Sequence, residues 1–180
     1  IRLTYSPNDK VTLMGGVING WNVVNDQNTG KSVMASITLK PTGSVTIIEN
    51  YIGGPEQPAN STDWRHLSDT VLSYTVNPTV SLMANYDYGR DTVGKVVNAW
   101  QGIAGYAKIQ ANKVVAVVPR VEYYNDRNGW STGTPQNLTS GTLTLEVKAA
   151  DNFLWQIEYR GDFSDTATFV DSANKAQKNQ

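Results

Sequence analysis

Between Trp64 and Asp91 the chain reads WRHLSDTVLSYTVNPTVSLMANYDYGRD. Five residues in this stretch are of types that do chemistry: Arg65, His66, Asp69, Asn85 and Asp87. His66 is the single histidine, with Ser68 two residues on and Asp69 after it. Two β-like runs flank the small turn Asn77-Pro78, so His66 and Ser68 share one face of one strand. A serine and a histidine turned toward lipid headgroups are the ingredients of a lipid-hydrolysing barrel. A working nucleophile and base, however, face each other across strands, and this pair lies along one. A histidine at a membrane interface beside aromatic residues is the better reading.

The remaining motifs are weaker. TGKS (residues 29–32) ends like a phosphate-binding loop, but Asn25 stands where that motif needs glycine. DQNTG (residues 26–30) has oxygen ligands at alternate positions, as calcium loops do, yet lacks the distal glutamate. A loop turn explains it. NST (60–62) and NLT (137–139) are glycosylation sequons, relevant only in a eukaryotic secretory route. The chain contains no cysteine, which excludes disulfides and thiolate metal sites. No cofactor or metal is expected.

The elements that position these residues follow from bulk and pattern. A chain of 180 residues fits one domain, and a formal net charge of −1 gives no electrostatic footprint for nucleic acid. No apolar run approaches the roughly 20 residues of a membrane helix, and IRLTYSP does not open like a signal peptide. The mean hydropathy of −0.38 does not exclude a membrane barrel, because lumen and loops offset the lipid face.

Alternation with period two dominates. MASITLKP opposes Ala35, Ile37 and Leu39 to Ser36, Thr38 and Lys40. FLWQIEYRGD opposes Phe153, Trp155, Ile157 and Tyr159 to Leu154, Gln156, Glu158, Arg160 and Asp162. About ten such segments are predicted, at 1–7, 11–21, 32–40, 44–53, 65–76, 79–90, 97–110, 113–125, 138–149 and 152–163. Residues 164–180 read as a polar loop or tail. SVTIIENYI has no cleanly apolar face, and Pro119 inside a strand predicts a bulge or local edge.

Short turns (7–10, 41–43, 77–78, 111–112, 150–152) alternate with long loops, NVVNDQNTGK, GPEQPANSTD, DTVGKV and NDRNGWSTGTPQN. An up-and-down meander with short turns at one end and long loops at the other is the pattern of an outer-membrane barrel. Trp21, Tyr51, Trp64, Tyr88, Trp100, Tyr123 and Trp130 lie near the long-loop ends. Tyr5, Tyr74, Phe153 and Trp155 lie near the short-turn ends. They are expected as two membrane-interface belts.

In such a barrel the apolar face meets lipid and the polar face lines a lumen. Asp69, Asp87, Arg120, Glu122, Glu146, Lys148, Glu158 and Arg160 are then the lumen-lining charges, with Asn85 and Asp162 beside them. Acids and bases on adjacent strands suggest mixed-sign ladders, which serve either selectivity or strand register.

WRHLSDTVLSY, SLMANYDYG, WQGIAGYA, RVEYYNDRNGW and IEYRGD together resemble bacterial outer-membrane porin-like β-barrels of the porin-2 type, over most of residues 40–163. The resemblance implies a Gram-negative outer membrane and a diffusion pore, and it transfers no catalytic residue. Such barrels end in a strand with a terminal aromatic, whereas this chain ends ANKAQKNQ. The turn order also puts both termini at the long-loop side. An excerpt, an engineered reduction or a partial trace is therefore expected, resembling the C-terminal half of such a barrel.

The expectation is an all-β, antiparallel, up-and-down transmembrane barrel of about ten strands over 1–163, complete or incomplete. It is not an enzyme, and it passes small hydrophilic solutes or ions across the bacterial outer membrane. Its partners are the lipid bilayer or lipopolysaccharide and those solutes, with no nucleic acid; homo-oligomerisation stays open. Ten strands alone enclose a narrow or occluded lumen. The alternatives are a non-conducting structural or adhesive barrel working through its loops, and a soluble ligand-binding barrel.

Overall fold

The computed structural model describes residues 1–21 and 25–180, so the first part of the loop at 22–31 lies outside the described residues. Ten strands follow one another: β1 (Arg2–Asn8), β2 (Val11–Ile18), β3 (Ser32–Thr42), β4 (Val45–Pro55), β5 (Trp64–Asn77), β6 (Val80–Val93), β7 (Val96–Gln110), β8 (Val115–Asp126), β9 (Gln136–Ala150) and β10 (Phe153–Ser164). They form one sheet in sequence order, each antiparallel to the next. Among the described residues β1 and β10 do not pair with each other.

Local chemistry sets the turns. Asn77 Oδ1 accepts from the N–H of Thr79 (2.9 Å) and Val80 (2.9 Å), closing the β5–β6 hairpin. Asn112 does the same for Val114 (2.8 Å) and Val115 (3.0 Å) before β8. These are side chains standing in for a turn's backbone acceptor.

One expected long loop is absent. DTVGKV is almost wholly strand: Val93 pairs with Val96, leaving only Gly94 and Lys95 between β6 and β7. Gly94 has φ +60°, the left-handed conformation that a two-residue hairpin needs and that glycine adopts without strain. β6 and β7 therefore rise higher than the period in the sequence implies. In the segment expected as a tail, β11 (Phe169–Val170) and β12 (Ala176–Gln177) pair, and residues 178–180 bond back to Asp162 and Ser164 of β10.

Burial decides which way the sheet faces. Leu82, Leu145 and Ile157 are 43 %, 38 % and 65 % exposed. Buried apolar side chains among the described residues are confined to Trp100, Ala104, Ala116 and Pro55. The buried polar set is larger: Ser32, Asp91, Asn98, Asp126, Gln136, Ser140, Thr142, Thr144 and Ser164. On β9 the two faces alternate residue by residue, with Ser140, Thr142 and Thr144 buried and Thr139, Leu143 and Leu145 exposed. The sheet curls over its polar face and presents its apolar face outward. This is the inverse of a water-soluble core, and it is what a bilayer as solvent demands.

Candidate lumen wall

Register carries the charged residues onto one face. Asp69 pairs with Asp87, Ala104 with Glu122, Tyr106 with Arg120, Thr142 with Arg160 and Thr144 with Glu158. All eight expected lumen charges, Asp69, Asp87, Arg120, Glu122, Glu146, Lys148, Glu158 and Arg160, thus share the polar face, together with Asp162. They fall into separate groups.

On β8–β10 the charges form a mixed ladder. Arg160 reaches Glu122 across β9 (3.0 Å) and Asp162 along its own strand (2.8 Å), and donates to Ser140 Oγ (3.1 Å). Arg120 Nε lies 3.1 Å from Glu122 as an ion pair without hydrogen-bond alignment, while its Nη2 donates to Thr142 Oγ1 (3.2 Å). Thr144 donates to Glu158 (2.7 Å), and Lys108 of β7 pairs with Glu146. A pocket of about 350 Å³ lies among Tyr106, Arg120, Thr144, Glu146, Gln156 and Glu158. Lys148 stands apart: its ammonium pairs with Asp151 at the β9–β10 turn (2.9 Å).

Asp69 and Asp87 belong to a second group that pairs with no cation among the described residues. Asn50 donates to Asp69 (2.8 Å), and so does Asn85. Small residues on β7, Gly102 and Ala104, separate this acid pair from the ladder.

The third group was not legible from the segment boundaries. Asp91, fully buried on β6, accepts at one oxygen from Arg65 Nε (2.7 Å), Gln57 Nε2 (3.0 Å) and Trp130 Nε1 (2.9 Å); Arg65 Nη2 is 2.6 Å away. Its other oxygen has no partner among the described residues. Gln57 lies on the β4–β5 loop and Trp130 on the β8–β9 loop, so both long loops reach in over the polar face. Asp126, also fully buried, holds the second loop by accepting from the N–H groups of Trp130 (2.9 Å), Ser131 (2.9 Å) and Thr132 (2.7 Å). The available signal was the alternation Asn85, Asp87, Gly89, Asp91, which continues past the predicted strand end at 90.

This group corrects three expected belt residues. Trp130 is directed at Asp91. Trp21 lies under the Arg65 guanidinium, 5.6 Å from ring centre to Cζ, as a cation–π contact. Trp100 is buried on the polar face against Gly89, where an added Cβ would fall 1.9 Å from the indole. The Trp130 N–H bond, the Trp21 ring contact and the lack of a side chain at Gly89 favour the polar side over the interface, with Trp130 still partly exposed. Trp64, Tyr74, Tyr88, Tyr123, Phe153 and Trp155 are exposed on the apolar face, with Phe153 and Trp155 edge to face at 5.6 Å.

Besides the rim contacts Tyr86–Gln101 and Tyr123–Asn137–Asn125, the apolar face carries a polar cluster where SVTIIENYI showed no clean face. Glu49 accepts from the hydroxyls of Ser68 and Thr70, and Tyr51 Oη lies 2.7 Å from His66 Nδ1. Ser68 thus bonds to Glu49 rather than to His66, and no nucleophile–base pair forms. Outside the strands, Lys31 and Asn137 hold the carboxyls of Asp26 and Asp165, respectively, below the usual carboxylate range by hydrogen bonding. Among the described residues no group of three or more acids, histidines or cysteines is placed to hold a metal.

A family model described as "Putative beta-barrel porin-2, OmpL-like" matches residues 1–180, more of the chain than the motifs alone span. No curated protein and no solved structure matches.

Proposed function

The chain belongs to the putative beta-barrel porin-2, OmpL-like family, and from that premise we propose that it is an outer-membrane wall element through which small hydrophilic solutes or ions diffuse passively. One observation carries the reading: ionisable and hydroxyl side chains are gathered on the buried face, while large apolar side chains cover the exposed one. Bilayer hydrocarbon tolerates that arrangement and water does not reward it. The backbone edge of β1, and that of β10 outside the stretch 162–164 covered by residues 178–180, cannot face lipid, so the working form pairs them, with each other, with further strands or with another copy.

The ladder on β8–β10 and the acid pair on β5–β6 then line neighbouring sectors of the path, with β7 between them. Arg120→Glu should shift the reversal potential of reconstituted channels toward cations in planar bilayers under a salt gradient. Unchanged selectivity in a conducting preparation would remove Arg120 from the selective region.

A non-conducting barrel is the second reading, favoured by the convergence of Gln57 and Trp130 on Asp91 across the long-loop end. Absence of single-channel current from a folded, inserted protein would select it.

A further inference from the structure

We propose that Arg90 and His66 bind the phosphate of an anionic lipid on the apolar face, at its long-loop rim. The inference rests on the membrane reading above but not on conduction. Arg90 is the only Lys or Arg in the ten strands whose register places it on the apolar face. Arg65, Arg120 and Arg160 are on the polar face, each paired with a carboxylate. Arg90 is exposed and has no ion-pair partner among the described residues. An arginine facing lipid is tolerated near the headgroups far better than at mid-bilayer, and there its natural counterion is a lipid phosphate.

His66 is the cross-strand partner of Arg90, which puts their Cβ atoms about 4.5–5.5 Å apart. Tyr51 Oη lies 2.7 Å from Nδ1, so Nε2 is the ring nitrogen left to meet a ligand. The rings of Trp64 and Tyr51 flank the imidazole with centroids at 5.8 and 6.1 Å. Glu49, on the same face, has both oxygens engaged by Ser68 and Thr70. Further along the same face of β6, past Tyr88 and Tyr86, an apolar groove of about 460 Å³ opens over Ala84, Ile103, Gly105 and Val121. A headgroup at Arg90 would have its acyl chain directed along β6 toward this groove.

The test is native mass spectrometry of the full chain released from micelles doped with phosphatidylglycerol or phosphatidylcholine. The wild type should retain phosphatidylglycerol in preference to phosphatidylcholine. Arg90→Gln should weaken that retention about tenfold, the loss of a charge-assisted bond. Arg90→Lys should restore part of it, and His66→Phe should weaken it several-fold. Equal retention of the two lipids by the wild type, or undiminished phosphatidylglycerol on Arg90→Gln, overturns the proposal. Displacement of the lipid by excess inorganic phosphate would mark a free-phosphate site and also overturn it. Channel current is read separately on the same preparations. A silent preparation that still holds phosphatidylglycerol through Arg90 sinks the diffusion reading and supports the lipid site.

Discussion

The sectors β4–β6 and β8–β10 are built from the same alternation but obey it to different degrees. On β8–β10 every charged side chain keeps to the rule: Val121, Leu143, Leu145, Ile157 and Tyr159 face out, and the ions behind them neutralise one another through several routes. On β4–β6 it is broken on both faces. Glu49, His66 and Arg90 face out, while Asp69 and Asp87 face in without a cation. There the one inward ion pair among the described residues, Arg65 with Asp91, is fully buried on the acid's side. The difference separates wall from site. Redundant, half-exposed ladders suit register and a wet lining, whereas single buried or misplaced charges need a specific partner.

Removing one arginine from each sector should sharpen this contrast most. Arg65→Met leaves Asp91 buried with only neutral donors and should cost about 3–5 kcal/mol, the loss typical of a broken buried pair. Arg160→Met leaves Glu122 with Arg120 and Asp162 with Ser140 and water, and should cost about 1 kcal/mol or less. Urea titration of the fold in phosphatidylcholine vesicles measures both. Similar losses at the two sites would break the comparison.

The outward faces should differ less, but in the same direction. Leu145→Arg puts an unpaired cation in the clean apolar band and should cost about 2–4 kcal/mol. Ser68→Arg lies beside Glu49 and nearer the long-loop rim, and should cost about 1 kcal/mol or less. The same titration checks the pair, and an equal penalty would mean that Glu49 supplies no compensation.

Strand order and pairing were legible because period two is a geometric consequence of the extended chain, and the same period put the charges singled out on one face. The ends were not. Asp91, Thr92 and Val93 continue β6, but Gly94 beside Asp91 and Lys95 imitates a loop in composition. Trp21, Trp100 and Trp130 sit where belts occur in height, yet height does not say which side of the wall an indole takes. For Trp100 that depended on Gly89 across the strand, and for Trp130 on Asp126 organising a loop with no period of its own. Glu49 left a trace only as a strand without a clean face. The convergence of two loops on Asp91 left none, because contacts between aperiodic segments are set in three dimensions.

The most direct test uses the absence of native cysteine. Single cysteines placed at Leu82, Leu145 and Ile157, and at Thr144 and Glu158, carry nitroxide labels in lipid vesicles. Their relaxation is then read with oxygen, which concentrates in lipid, and with a water-soluble nickel chelate. The first three should respond to oxygen and the last two to nickel. Nickel access at Leu145 and Ile157 with oxygen access at Glu158 would contradict the inverted sheet and everything built on it.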